Sequence, residues 1–149
     1  MNNKLLIVGT MAYDAIETPF GKVEKILGGA ATYIGLSASQ FLVDSAIISV
    51  VGEDFDIQHL QLLKEKNLDL SGVEIVKGGE TFFWSGKYNE DLNTRTTLET
   101  RLNVLENFNP IIPDQYRSPD IVVLGNLSPE VQIKACLLYT SDAADDLVG

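Results

Sequence analysis

Apolar and polar positions along the chain follow two different regimes. Leu5-Leu6-Ile7-Val8 is a short unbroken apolar run ending at Gly9, the pattern of a strand buried on both faces of an α/β sheet. Ala46 to Val51, ending at Gly52, and Ile121 to Leu124 repeat that pattern. Asp14 to Thr18 and Lys22 to Leu27 flank Pro19-Phe20-Gly21 and predict two short strands about a turn. From Gly28 to Leu42 the period changes. Ala31, Ile34, Ala38 and Phe41 recur at spacings of three and four, one face of a helix opened by Gly28-Gly29. A second helix is predicted from Asp56, its N-cap, to Lys66, with Ile57, Leu60 and Leu63 or Lys64 on the inner edge. A third opens at Ser128-Pro129-Glu130, with serine as cap and proline at the first position. Strand alternating with helix is the rhythm of an α/β domain.

The middle of the chain departs from this rhythm. Thr81 to Tyr88 and Thr94 to Leu102 are rich in threonine and aromatics, alternate in polarity, and bracket Asn89-Glu90-Asp91-Leu92-Asn93. They predict an antiparallel ribbon, with Phe82, Trp84, Gly86 and Tyr88 on one face and Thr81, Phe83, Ser85 and Lys87 on the other. A second small sheet therefore interrupts the main one, and the proline-rich link from Pro110 to Pro119 leads back to it.

Composition narrows the picture. With 149 residues and 45% hydrophobic content, the chain carries a real core and is not disordered. Its 21 acids against 11 bases argue against a nucleic-acid partner, since little is present to neutralise a polyanion. No apolar run reaches the ~18–20 residues that cross a bilayer, and Met1-Asn2-Asn3-Lys4 lead straight into a strand; the expectation is a cytoplasmic protein without a membrane partner. The single cysteine, Cys136, excludes an internal disulfide framework and a cysteine-based zinc site. It also opens a segment, Cys136-Leu137-Leu138-Tyr139-Thr140-Ser141-Asp142-Ala143-Ala144-Asp145-Asp146, that matches one reading frame of a transposase adapter used in sequencing libraries. Residues 136–149 are accordingly expected to be read-through rather than native protein, leaving 1–135 as the folded unit. Removing the three aspartates of that segment from 21 acids against 11 bases leaves a charge of −7.

The chain lacks G-x-G-x-x-G and G-x-x-x-x-G-K-[ST], so neither a dinucleotide fingerprint nor a P-loop is present. With one histidine, His59, a Ser-His-Asp hydrolase and a multi-histidine metal site both lack parts, and His59 reads as a solvated or half-buried helix residue. Two features remain. Asp14 follows the first buried strand in Gly9-Thr10-Met11-Ala12-Tyr13-Asp14, where a carboxylate can accept hydrogen bonds from two substrate hydroxyls or, more plainly, cap a turn. Gly28-Gly29-Ala30-Ala31 opens a helix, either to let a ligand reach the first-turn amides or simply as a tight entry.

In this order and with the intervening hairpin, V-G-T-M-A-Y-D, G-G-A-A-T-Y-I-G-L-S-A-S, V-V-G-E-D-F and N-L-D-L-S-G-V-E-I-V-K-G-G-E-T resemble the PfkB/ribokinase superfamily of sugar and nucleoside kinases, from about Lys4 to Ala135. The resemblance implies a partial three-layer α/β/α sandwich with a small β-sheet lid, the lid strands at about 14–27 and 81–102. It implies a parent enzyme that phosphorylates a hydroxyl of a sugar or nucleoside with ATP and Mg2+. Carried over by position, Asp14 holds substrate hydroxyls and Gly28 and Gly29 are the di-glycine at the lid hinge. Tyr33 and Ala12 stand where relatives place asparagine, which points away from ribose itself, and Asn126 is the candidate replacement for a glutamate. Phe82, Trp84 and Tyr88 of the lid stack on a sugar or base, form a lid-to-lid homodimer contact, or pack the ribbon onto the body. Arg95 and Arg101 read as solvated surface, with orientation of an acidic substrate as the alternative. The resemblance places the catalytic base in a late G-A-G-D motif and links magnesium and phosphate to an N-x-x-E motif before it, and neither motif is expected within these residues. No catalytic or metal-ligating residue is therefore named, and the fragment is expected to be inactive. Two other classes stay open: a non-catalytic sugar- or nucleoside-binding module, and an oligomerisation scaffold built on the aromatic ribbon.

Overall fold

The computed structural model describes residues 4–41 and 43–146, with side chains described up to Leu138. Met1 to Asn3, Leu42 and residues 147–149, and with them parts of the predicted first helix and of the adapter-like segment, lie outside the described residues. Chain order is β1 (Lys4–Val8), β2 (Ala12–Thr18), β3 (Gly21–Gly28), α1 (Ala30–Ala38), β4 (Asp44–Gly52), α2 (Ile57–Glu65), β5 (Leu68–Val76), β6 (Phe83–Tyr88), β7 (Arg95–Arg101), β8 (Ile121–Leu124) and α3 (Pro129–Asp146).

Two sheets result. The main one has the order β5-β4-β1-β8 and all its pairs are parallel. Because successive strand residues point to opposite faces, the apolar runs supply two cores at once. Leu5, Ile7, Ile47 and Val51 pack with Ala31 of α1 and Leu63 of α2. Leu6, Val8, Ala46, Ile48 and Val50 pack on the other side with Phe108, Ile112, Tyr116 and Ala135, the last from α3. Each such fully buried aliphatic side chain contributes about 1.5–3 kcal/mol, so these three layers hold the fold.

The second sheet has the order β3-β2-β6-β7 and is the expected lid. β2 pairs with β3 and β6 with β7 antiparallel, as the turn and ribbon signals predict, and the two hairpins are joined by a parallel β2–β6 pairing. Alternation divides its residues between two jobs. Tyr13 is buried and Phe83 half-buried, and both pack against the body, whereas Asp14, Ile16, Trp84 and Tyr88 line an open cleft. Tyr13 also stacks on Phe55 with ring centroids 5.4 Å apart, and its hydroxyl accepts from the Asp56 amide at 2.8 Å and meets His59 Nδ1 at 3.3 Å. His59 is thus a half-buried helix residue, one of the two readings its sequence position allowed.

Three expectations need correcting. The predicted helix from Gly28 is shorter at both ends: Gly28 closes β3, Gly29 is the N-cap with φ 99°, and Ser39–Phe41 form a 3-10 turn. That change of period turns Phe41 out to solvent although helical spacing placed it with Ala31. Ile57, placed on the inner edge of the second helix, is exposed because it is the first helical residue, whereas Asp56 does cap it by accepting from the Gln58 amide at 2.8 Å. β5 is not anticipated by the apolar pattern at all. A register shift against β4 between Ala46 and Ile48, with the Asp69 carboxylate accepting from the Ser71 amide, breaks its alternation.

Candidate functional site

The cleft opens where the lid meets the body. It measures about 380 Å3. The body contributes Thr10, Gly29, Ala30, Tyr33 and Asn126, and the lid contributes Asp14, Ile16, Phe82, Trp84, Tyr88 and Arg95. Residues far apart in the sequence converge there.

Asp14 sits on β2 rather than on a turn, and it is half-buried. Burial raises its pKa above the ordinary aspartate value, with no cation or hydrogen bond among the described residues to oppose the shift. Its space is provided by Gly28, paired with Ala12 on β2. A Cβ at Gly28 would run into the Asp14 carboxyl group, whose atoms are its three nearest neighbours. Gly28 therefore does not line the cleft itself but decides where the carboxylate stands. Gly29 serves another purpose. Its left-handed φ and its close approach to the Thr10 carbonyl leave no room for a side chain, which fixes the angle at which the chain leaves the lid for α1.

The α1 start is not an open amide cradle, contrary to one reading of Gly28-Gly29. The Ala30 amide donates to Thr10 Oγ1 at 3.0 Å and the Ala31 amide to the Thr10 carbonyl at 2.9 Å. Thr10 Oγ1 in turn donates to Asn126 Oδ1 at 2.7 Å. With Oδ1 engaged, Asn126 has its amide nitrogen left to offer a ligand. Thr10, missed in the sequence, is the residue that ties the β1 end, α1 and the β8 end together. The Tyr33 hydroxyl donates to the Leu27 carbonyl at 2.8 Å, so Tyr33 presents mainly its ring to the cleft.

Phe82, Trp84 and Tyr88 all line the cleft, and the packing role falls to Phe83 on the opposite face. Arg95, read as surface, also lines it, with its guanidinium 5.3 Å from the Trp84 ring centroid. Arg101 points elsewhere, lying 4.4 Å over Phe83 and bridging Glu99 at 3.2 Å. Behind the lid, Thr81 is buried; its amide and hydroxyl donate to Asp54 at 2.8 and 2.7 Å, and its hydroxyl accepts from the Gly52 amide at 3.0 Å. That small network gives V-V-G-E-D-F a structural role in seating β6.

This architecture has counterparts among solved proteins. A nucleoside kinase from Methanocaldococcus jannaschii, an archaeal member of the ribokinase family, superimposes with a TM-score of 0.71 at 22% identity, over 89% of this chain and 48% of that one. The fold is ribokinase-like. Arabidopsis thaliana ribokinase, solved with ribose and ATP, shares the ribokinase-like fold at a TM-score of 0.71 and 15% identity, covering 95% of this chain and 51% of its own. A curated relative, cytidine kinase of Thermococcus kodakarensis, is 29% identical over 131 residues, which are 87% of this chain and 46% of that protein. No family model matches the chain. The chain spans about half the length of the kinases it resembles.

Among the described residues no group of three or more His, Cys, Asp or Glu is arranged to hold a metal ion, and no helix is long and apolar enough to cross a membrane. Contrary to the expectation that no N-x-x-E occurs, the string is present once, as Asn103-Val104-Leu105-Glu106, as part of a 3-10 turn after β7. There Asn103 Nδ2 donates to the Thr81 carbonyl at 2.9 Å, Glu106 is exposed, and neither residue lines the cleft. Among the described residues, neither member of that string is placed to meet a ligand bound in the cleft.

Proposed function

We propose that this chain is the substrate-binding part of an ATP-dependent kinase that phosphorylates a hydroxyl of a sugar or nucleoside. The observation that carries the reading is the Asp14 carboxylate: half-buried in a cleft, raised in pKa by burial alone, and without a protein donor among the described residues. Such a group is under-satisfied until a ligand brings donors to it. Two hydroxyls of a polyol supply them, and the ionised carboxylate accepts both. The Asn126 amide nitrogen offers a further donor beside it. The kinase relatives support the phosphoryl-acceptor role of whatever Asp14 holds.

Phosphoryl transfer needs a positioned nucleophile, a base and charge stabilisation. Asp14, Asn126 and the lid supply position, and lid closure over the cleft excludes water. G-A-G-D does not occur in the 149 residues, and the one N-x-x-E string is a structural turn away from the cleft, so the chain binds substrate without transferring phosphate. The test is incubation of the chain with ATP, Mg2+ and a panel of sugars and nucleosides. The expected outcome is saturable binding of one class, lost in Asp14→Asn, and no phosphorylated product. Product formation by the chain alone refutes the division of labour, and undiminished binding by Asp14→Asn refutes the role of the carboxylate.

A further inference from the structure

The lid holds one arrangement that hydroxyl binding by Asp14 does not use. Trp84 is the register partner of Asp14 across β2 and β6, so the two share the cleft face. Two residues along β6 on that face is Gly86, where a Cβ would run into the six-membered ring of Trp84. The indole therefore lies down along the strand, over Gly86, instead of standing away from the sheet. Its Nε1 donates to Thr97 Oγ1 of β7 at 3.3 Å, and the Arg95 guanidinium carbon lies 5.3 Å from the ring centroid, too far to be stacked on it. A missing side chain and a hydrogen bond thus hold one aromatic ring flat against the cleft wall.

The platform is displaced from Asp14 in a defined direction. Gly86 lies two residues, about 7 Å, further along the strand toward the lid tip. A single sugar ring held by Asp14 leaves that surface uncovered, whereas a planar group attached to the sugar covers it. Arg95, which pairs with Tyr88 beyond Gly86, is the one cation among the residues that line the cleft. Guanidinium has only donors, so its complement on a ligand is an acceptor, and a planar carbonyl-bearing ring meets both the platform and the cation.

We propose that the substrate whose hydroxyls Asp14 holds carries a heterocyclic base that stacks on Trp84, and that Arg95 is a specificity-determining residue reading a carbonyl oxygen of that base. The proposal rests on the hydroxyl-binding role of Asp14. Stacking on an aromatic side chain tolerates many bases, so discrimination falls to Arg95. Cytidine, uridine and inosine offer a carbonyl oxygen, adenosine offers none, and ribose offers no base.

Trp84 is the single tryptophan of the chain, so its fluorescence reports the platform directly. The experiment titrates the 149-residue chain with cytidine, adenosine, ribose and gluconate, following Trp84 emission, with non-quenching ligands measured by competition against cytidine. Cytidine is expected to quench saturably and to bind about tenfold tighter than adenosine, the scale of one good polar contact. Arg95→Leu should bring cytidine level with adenosine and leave ribose within about twofold, while Asp14→Asn weakens all three sugar-bearing ligands alike. Unchanged Trp84 emission at saturating cytidine overturns the platform even if ribose binding still depends on Asp14. Equal loss of cytidine, adenosine and ribose in Arg95→Leu overturns the reading role, as does gluconate binding that exceeds cytidine and requires Arg95. Failure of every ligand to bind overturns this proposal together with the Asp14 reading beneath it.

Discussion

Replacing Gly28 by alanine tests how the carboxylate is held. Gly28 is not among the glycines with positive φ, so alanine fits its backbone, and the three atoms nearest to the new Cβ all belong to the Asp14 carboxyl group. Asp14 must then turn away, at about 0.5–1.5 kcal/mol if it leaves its rotamer well. Losing one hydrogen bond from a substrate hydroxyl to the carboxylate costs about 1.5–3 kcal/mol, or about 10- to 150-fold in Kd. Asp14→Ala removes both bonds and should weaken binding by about 10²- to 10⁴-fold. In that background the obstacle is gone, so adding Gly28→Ala should change Kd by less than about twofold. Stability should also separate the two backgrounds. Gly→Ala at a compatible site stabilises by about 0.4–1 kcal/mol through the unfolded chain. That gain should appear in full in the Asp14→Ala background and be offset where the Asp14 carboxyl group is kept. Titration calorimetry with cytidine and urea unfolding of the four proteins complete the cycle. Wild-type affinity in Gly28→Ala, or an equal further loss in the Asp14→Ala background, refutes the reasoning.

Further outcomes follow from the lid anchor and from the titration of Asp14. Thr81→Val removes a hydroxyl that donates to Asp54 and accepts from Gly52 in a buried site, and should lower the urea-unfolding free energy by about 2–3 kcal/mol; a change below about 0.5 kcal/mol refutes the anchor. Because the folded pKa of Asp14 is raised above its unfolded value, its contribution to stability is full below the ordinary aspartate pKa and declines as pH rises through the folded pKa. Asp14→Asn should abolish that decline, so wild-type and variant unfolding free energies measured across the acid range should diverge toward neutral pH with the variant the more stable. Convergence toward neutral pH contradicts the sign.

The sheet strands and the lid were legible because each satisfies a period along the sequence. Leu5 to Val8, Ala46 to Val51 and Ile121 to Leu124 are apolar on both faces, and the lid ribbon alternates strictly enough that its two faces separate Phe83 from Trp84. β5 was hidden because the bulge at Asp69 to Ser71 and the polar Glu74 disrupt both periods. Asp14, Gly29, Tyr33, Asn126 and the three lid aromatics were legible as site candidates, and they do share one cleft. What the sequence withheld is contact over distance. Thr10 reaches Asn126 across 116 positions, Gly28 clears space for Asp14, and Gly86 lets Trp84 lie flat. None of these leaves a periodic trace. Arg95 is exposed, as its place on an edge strand predicts, but its position at the cleft, 5.3 Å from the Trp84 ring centroid, is another contact that no period announces.

The central claim is that Asp14 accepts hydrogen bonds from substrate hydroxyls, and the carboxyl carbon resonance of Asp14, followed by NMR through an acid titration with and without saturating cytidine, measures it most directly. Donors that favour the ionised form must lower a pKa that burial alone has raised. The account predicts a raised Asp14 pKa in the free chain that falls when the nucleoside binds, with affinity weakening as pH drops through that interval. An Asp14 pKa that stays the same or rises in the complex contradicts it.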